Sequence, residues 1–256
     1  MKVHPTARIN VDHLEIGPGA VIGKDCVIEG HRVSIGRDFW MDEGAVIGGG
    51  SCHDPSAYLV AGDWLHMGRD AQINIARGVT IGHEAGIGIE TKIFTHGAYQ
   101  SEWDGFPVDF APVVLGDRVW LPNAWVNPGV TIGSDVVVAA RSLVNRDLPY
   151  GCLAGGVPVK VLREHAYPRA LTVSEQLACL KRICFEVNSI TRTPCCIMGG
   201  PLGMLDVDGT LFDLVSRAIS GPATAYAEVA RNQLRRHGIR FRYSAENGEY
   251  VRWPES

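Results

Sequence analysis

His96 is the residue whose type and setting best suit catalysis. An imidazole titrates near neutral pH, so it can take a proton from a hydroxyl or amine as that group attacks a carbonyl carbon. Residues 97–107, directly after it, mix aromatic, acidic and glycine residues. We therefore predict that His96 lies at a surface groove as a general base. On position alone, a histidine on a surface turn is the alternative.

The segment after His96 is expected to contact a substrate. Long insertions in compact domains are usually functional or disordered, and this one carries many aromatic residues for a disordered segment. We predict that residues 97–112 form a loop that reaches across a neighbouring site, with Trp103 and Asp104 as substrate contacts.

An aliphatic repeat of six residues surrounds this loop on both sides. That period fits neither a helix, which repeats near 3.6, nor a strand, which repeats near 2. It predicts a solenoid in which each hexapeptide is a short strand plus a turn, and three hexapeptides make one triangular coil. The expected core positions are Met67, Ile73, Ile81, Ile87 and Ile93, then Trp120, Val126, Ile132, Val138 and Val144 without a slip.

The composition changes after the repeat. Val3 and Ile9 begin the repeat, and we place its domain at residues 1–165. Residues 166–256 are predicted to form a small α/β or α+β domain of unknown role, with helices over 172–188 and 222–237, a strand over 239–243 and a hairpin turn at 247–248.

Charge and cysteine content narrow the choice of partner and compartment. A net charge of −4 gives no electrostatic reason to expect nucleic acid or an anionic membrane as a partner. Seven cysteines without a regular framework favour reduced thiols that act as small apolar fillers, and hence a cytoplasmic protein. We find neither a membrane span nor a signal peptide in the sequence.

Residues 67–163 resemble the hexapeptide-repeat acyltransferases, in particular the galactoside, maltose and nodulation-sugar O-acetyltransferase branch. The resemblance rests on an ordered series of matching segments at 93–96, 114–120, 127–133 and 154–163. It implies a left-handed parallel β-helix, acetyl-coenzyme A as co-substrate without a metal, and a sugar or nucleotide-linked sugar as acceptor. It also implies a homotrimer and a part in polysaccharide biosynthesis.

The resemblance also implies roles for single residues. His96 matches the family's catalytic base, and Asn74 falls roughly where a polar residue faces the acceptor. Positions that meet coenzyme A in the family correspond here to Trp120 and Ala140 beside the pantetheine arm, to Asn145, and to Lys160 and Arg163 at the 3′-phosphate and adenine end.

Three departures from the family's pattern bear on the site. Arg141 replaces a small residue and so brings a longer side chain into the cofactor groove, Lys160 replaces an arginine, and Gly97 follows the histidine. The residue that orients the imidazole stays open, and the candidates by sequence are Glu102, Asp104 and Asp109.

Other functions fit parts of the sequence. An N-acetyltransferase on an amino sugar or other small amine would need the same histidine, and a non-catalytic scaffold or sugar-binding solenoid would need none. Residues 205–213 resemble the first motif of haloacid-dehalogenase-type phosphatases, but we predict a tight turn at Asp208-Gly209 instead. A γ-type carbonic anhydrase would bind zinc through His66, His83 and His96.

Overall fold

The aliphatic repeat folds as a parallel β-helix. The computed structural model describes residues 1–192, 195–198 and 203–254. These fall into two compact units, Met1–Arg169 and Ala170–Ser256, which are described separately. The strands of the first unit are β1 (Lys2–Val3), β2 (Arg8–Ile16), β3 (Val21–Ile22), β4 (Val27–Ile35), β5 (Trp40–Met41), β6 (Val46–Gly48), β7 (Tyr58–Ala61), β8 (His66–Met67), β9 (Gln72–Asn74), β10 (Val79–Ile81), β11 (Gly86–Ile87), β12 (Lys92–Ile93), β13 (His96–Gly97), β14 (Asp109–Phe110), β15 (Val113–Leu115), β16 (Trp120–Leu121), β17 (Ala124–Val126), β18 (Thr131–Ile132), β19 (Val137–Val138), β20 (Ser142–Val144), β21 (Leu153–Gly155) and β22 (Lys160–Arg163).

These strands form the three faces of a prism. One sheet has the order β1-β3-β5-β8-β11-β16-β19-β21-β22, with parallel pairing up to β21 and antiparallel pairing of β22. A second sheet has the order β18-β15-β10-β7-β4-β6-β9-β12-β17-β20, with β2 beside β4. Residues 27–28 of β4 pair with β6, whereas residues 32–35 pair with β7. The second sheet therefore turns a corner inside β4 and supplies two faces.

Aliphatic side chains fill the interior of the prism. Ile73, Ile87 and Ile93 are fully buried, as the period predicts, and Ile73 pairs in register with Ile93 of the next coil. At the corners the backbones of successive coils approach closely. A Cβ on Gly116 would lie 2.6 Å from the backbone nitrogen of Ser134, so that corner requires glycine.

The predicted core series is wrong at one position. Trp120 is 42% exposed, and its ring lies over Gly86 on the outside of the first sheet, where a Cβ would come within 2.4 Å of the ring. Leu121 is buried in its place. The corner before Val126 is one residue shorter than the period predicts, and the smaller leucine fits the interior that the indole would overfill.

The segment after His96 leaves the prism as predicted. β13 and β14 pair antiparallel, with His96 opposite Phe110, so the base of the insertion is a short ribbon. Between these two strands the insertion forms a 3₁₀ turn at Glu102–Asp104, in which Trp103 is 97% exposed.

The second unit combines helices with antiparallel strands. Its elements are α1 (Val173–Thr191), β23 (Cys195–Met198), β24 (Met204–Val207), β25 (Thr210–Asp213), β26 (Ala218–Ser220), α2 (Ala225–Arg236), β27 (Tyr243–Glu246) and β28 (Glu249–Arg252). Thr172 caps α1 with a capping box, as expected from its type. The tight turn at Asp208-Gly209 is confirmed, because Val207 pairs with Thr210 across it.

Two details predicted for the second unit are wrong. The second helix begins after Thr224, whose hydroxyl accepts the amide N–H of Ala227, so Pro222 precedes the helix. Residues 239–242 are not a strand, although the hairpin turn at 247–248 is confirmed by the pairing of Glu246 with Glu249. The helix therefore starts at the residue whose side chain caps it, Thr224, and not at the proline that was expected in its first turn.

The described cysteines are free thiols. Burial raises the pKa of Cys26, Cys52 and Cys152, which makes their thiolates scarce at neutral pH and agrees with a role as apolar fillers. The side chains of Cys195 and Cys196 lie outside the described residues. Among the described helices, none is long and apolar enough to cross a membrane.

We predict that Ile87→Ala lowers the free energy of unfolding by about 2–5 kcal/mol, because it leaves a cavity in the prism. Ile89→Ala is the matched control: Ile89 is 49% exposed and should change stability by less than about 0.5 kcal/mol. Urea denaturation of the three proteins would measure this. Equal midpoints for the two variants would show that Ile87 does not support the prism.

Candidate active site

His96 lies where the chain leaves the prism. It follows Ile93 of β12 by three residues, is half-buried, and pairs with Phe110 across the base of the insertion. The two rings are stacked, with centroids 5.6 Å apart and an interplanar angle of 16°. The fold thus holds the imidazole at a corner, against an aromatic ring.

Asn74 is the residue that orients the imidazole. It directly follows Ile73 of the core, is 2% exposed, and its Oδ1 lies 2.9 Å from Nδ1 of His96. The acids considered from sequence, Glu102, Asp104 and Asp109, lie instead in exposed parts of the insertion. Neither spacing nor residue type pointed to Asn74 as the partner, because the two residues meet only through the stacking of coils.

Backbone groups determine which way the Asn74 amide faces. The N–H of Ala76 donates to Oδ1 at 3.3 Å, and Nδ2 lies 3.4 Å from the carbonyl oxygens of both Gly48 and Gly50. A backbone N–H can only donate and a carbonyl can only accept, so Oδ1 must face His96. The hydrogen bond therefore places a proton on Nδ1 of His96, and in the neutral ring Nε2 keeps its lone pair.

Thr95, Asn74 and His96 form a polar cluster connected by hydrogen bonds. The Thr95 hydroxyl lies 2.8 Å from Oδ1 of Asn74, to which it can donate, and accepts the backbone N–H of Arg77 at 3.0 Å. Both Thr95 and Asn74 are buried and hydrogen-bonded, as buried polar groups in native proteins usually are. The cluster therefore fixes the imidazole without leaving an unsatisfied polar atom on these side chains.

A groove of about 310 Å³ lies on the face formed by β17 and β20. Its walls include Glu90, Asn123, Trp125, Arg141, Leu143 and Val157. The Trp125 ring is stacked on Phe94, two residues before His96, with centroids 4.8 Å apart. Trp125 was not identified from the sequence, although its register beside β12 could have suggested the contact.

The residues predicted to bind coenzyme A lie in different places. Ala140 precedes and Asn145 follows β20, whose residues line the groove, and Arg141 also lines that groove. Lys160 and Arg163 are exposed at the two ends of β22. Trp120 lies on the first sheet and does not line the groove.

The histidines of the zinc alternative have separate partners. Nε2 of His66 lies 3.2 Å from Asp42, and Nδ1 of His83 accepts the backbone N–H of Asp63 at 3.0 Å. In the part of the chain that the structure describes, no group of histidine, cysteine or acidic residues is arranged to hold a metal ion.

The chain is similar in sequence to several proteins that are named acetyltransferases. The chain is 32% identical over 157 residues to galactoside O-acetyltransferase of Escherichia coli, covering 57% of this chain and 71% of that protein. It is 35% identical over 107 residues to the putative colanic acid biosynthesis acetyltransferase WcaF of Escherichia coli, covering 41% of this chain. The aligned part spans 58% of the length of WcaF. No family model matches the chain.

A solved structure supports the fold. A variant of AntD, an N-acyltransferase from Bacillus cereus in complex with dTDP and coenzyme A, superposes with a TM-score of 0.51 at 20% identity. The match covers 66% of this chain and 91% of AntD.

We predict that the neutral imidazole of His96 carries its proton on Nδ1, and that Asn74→Ala shifts the proton toward Nε2 because Nδ1 loses its acceptor. ¹⁵N NMR of histidine-labelled protein distinguishes the two tautomers. The signals of His66, which bonds to Asp42, serve as the internal control and should not move. An unchanged His96 tautomer in the variant would contradict the role given to Asn74.

Proposed function

The chain belongs to the hexapeptide-repeat acetyltransferases, and from that premise we propose that it transfers an acetyl group from acetyl-coenzyme A to a hydroxyl of a sugar or nucleotide-linked sugar. His96 is the proposed general base. The geometry that supports this role most directly is the Asn74 hydrogen bond, which leaves Nε2 as the basic nitrogen.

The chemistry of His96 follows from that tautomer. Acetyl-coenzyme A supplies the acyl group as a reactive thioester. Nε2 accepts the hydroxyl proton as the acceptor oxygen attacks the carbonyl carbon, and the imidazolium then gives this proton to the departing sulfur. Nδ1 keeps its proton and its bond to Asn74 throughout. The acyl group passes directly to the acceptor, and the proposal includes no acyl-enzyme.

We propose that the groove beside Trp125 holds the pantetheine arm of coenzyme A. The side chains of Trp125, Leu143 and Val157 give it apolar walls, and Arg141 adds a positive charge. Pantetheine is a narrow chain, so a groove suits it better than a deep cavity. We propose that Ala140 and Asn145 contact this arm and that Lys160 and Arg163 contact the 3′-phosphate and adenine end. Trp120, on the first sheet and outside the groove, is proposed to lie beside a part of the cofactor that leaves the groove.

The names of two relatives support the choice of a hydroxyl acceptor over an amine. The galactoside enzyme and WbbJ of Escherichia coli, a putative lipopolysaccharide biosynthesis protein 31% identical over 123 residues, are both named as O-acetyl transferases. We propose Trp103 and Asp104 as acceptor contacts. Asn74, expected from the sequence to face the acceptor, is buried and hydrogen-bonded to His96, so we propose that it acts through the imidazole. We also propose a homotrimer in the cytoplasm, with the reaction carried by residues 1–165; residues 166–256 are assigned no part in it.

We predict that His96→Ala lowers the rate of thiol release from acetyl-coenzyme A by about 10²–10⁴-fold, because the acceptor loses its base. A panel of sugars and nucleotide-linked sugars, followed by thiol release, would measure this. His66→Ala is the control and should retain wild-type turnover, since His66 is exposed and bonded to Asp42.

The same panel separates the enzyme from a sugar-binding solenoid. Wild-type turnover in a folded His96→Ala protein would overturn the role of His96. Sugar binding without thiol release by the wild-type protein, across the whole panel, would favour a non-catalytic function.

We predict that Arg163→Ala weakens coenzyme A binding by roughly 10-fold, the effect of losing one charge-assisted contact. Binding of 3′-dephospho-coenzyme A should change less, because it lacks the phosphate that Arg163 is proposed to meet. Calorimetry with both compounds would measure this, with Arg8→Ala in the exposed strand β2 as the control. Equal weakening toward both compounds would contradict the phosphate contact.

A further inference from the structure

Three consecutive glycines lie against the Asn74–His96 pair. Gly48 ends β6, and Gly49 and Gly50 begin a segment, residues 49–57, that leaves the prism before β7. We call residues 48–57 the glycine loop. The carbonyl oxygens of Gly48 and Gly50 lie at hydrogen-bond distance from the Asn74 amide, so the loop contacts the group that orients the imidazole.

The first two glycines are required by the backbone. Gly48 has φ of +138° and Gly49 has φ of +102°, which residues with a Cβ rarely adopt. A Cβ on Gly49 would also come within 2.9 Å of Nδ2 of Asn74. Substitution at either position would therefore disturb the fold or the Asn74 amide.

Gly50 differs from its neighbours. It is not among the residues with positive φ, so its backbone can accept an ordinary side chain. A Cβ there would lie 3.6 Å from Nε2 and 3.7 Å from Cε1 of His96, in ordinary van der Waals contact. The missing side chain therefore leaves open the space directly beside the proposed basic nitrogen.

Contacts of Arg77 connect the glycine loop to the insertion that follows His96. The Arg77 guanidinium lies 3.2 Å from the Ser56 hydroxyl and 3.7 Å from the Asp54 carboxylate, both in the glycine loop. The same guanidinium lies 4.7 Å from the centroid of Phe110, the ring stacked on His96. Arg77 therefore joins the glycine loop to the aromatic side of the imidazole.

We propose that the glycine loop forms one wall of the acceptor subsite, and that Gly50 determines how crowded a hydroxyl can reach Nε2. This inference rests on the proposed function. The acceptor oxygen must come within about 2.6–3.2 Å of Nε2, and its carbon follows directly behind it. The bare Cα of Gly50 leaves room for the ring carbons that flank a secondary sugar hydroxyl, whereas a methyl group there would compete with them.

The test compares Gly50→Ala with Gly97→Ala, a matched control. Gly97 follows His96 directly, has no positive φ, and a Cβ on it would meet nothing within 4 Å beyond its two chain neighbours. Both variants add one methyl group at a residue next to the imidazole. In strand β13 successive Cβ atoms point to opposite faces, so the methyl group of Gly97→Ala points away from the His96 side chain, whereas that of Gly50→Ala lies beside Nε2. Melting temperatures check that both proteins fold, and Gly50→Ser is a second variant at the same position.

Diethyl pyrocarbonate, which acylates the unprotonated imidazole nitrogen, reports access to Nε2 without any need for turnover. Mass spectrometry of the peptide containing His96 gives its rate, with the peptide containing the exposed His66 as reference. We expect Gly50→Ala and Gly50→Ser to slow modification of His96 several-fold and Gly97→Ala to leave it unchanged. Equal His96 rates in all four proteins would overturn the proposed wall.

Acetyl transfer gives the second readout. For a sugar substrate found in the panel, Gly50→Ala should lower kcat/KM about 10-fold or more for a secondary hydroxyl and less for a primary one, with KM for acetyl-coenzyme A unchanged. Equal losses for both hydroxyls would overturn the role of Gly50 in specificity. Slower modification of His96 in a protein that transfers no acetyl group would retain the wall and reject the proposed function.

Discussion

The register of parallel strands around a narrow aliphatic interior is the constraint on which the rest of the first unit depends. Ile73 pairs with Ile93, and Ile93 pairs with Val126 in the following coil. Because only side chains of similar size fill the prism, a coil cannot slide along its neighbour without emptying one core position and overfilling another. This register places Asn74, next to Ile73, beside His96, which follows Ile93. A hydrogen bond of 2.9 Å between residues 22 positions apart is thus set by the core.

The corners, more than the faces, let the chain leave the prism and surround a reactive side chain. On the faces the backbone N–H and C=O groups bond to the coils on either side, and the inward side chains are aliphatic. At a corner the chain can leave the prism, as it does in the glycine loop and again at residues 97–112. Both excursions reach His96, the first through Gly50 and the second through Phe110. The structure thus surrounds one imidazole with two segments that the repeat itself does not require.

The sequence predicts the positions that face inward better than it predicts the corners. The six-residue period identifies the buried isoleucines because inward side chains must be aliphatic, and it marks the insertion because the period stops there. It misplaces Trp120, because one corner is a residue shorter and spacing does not reveal corner length. It also leaves the partner of His96 open, since the direction of a corner side chain depends on coils above and below. The sequence shows a glycine at position 50, but only the folded chain shows that it lies beside Nε2 of His96.

An asparagine orients the imidazole here only because the backbone controls the amide. In serine proteases, replacing the orienting aspartate by asparagine gives the wrong histidine tautomer, since an amide can present either its oxygen or its NH₂ group. Here two carbonyl oxygens face the Asn74 NH₂ group and one backbone N–H faces its oxygen, so the wrong orientation would set like groups against each other in a buried site. The tautomer is thereby fixed without a negative charge. A neutral partner does not stabilise an imidazolium as a carboxylate would, which suits a proposed base that holds its proton only until the departing sulfur takes it.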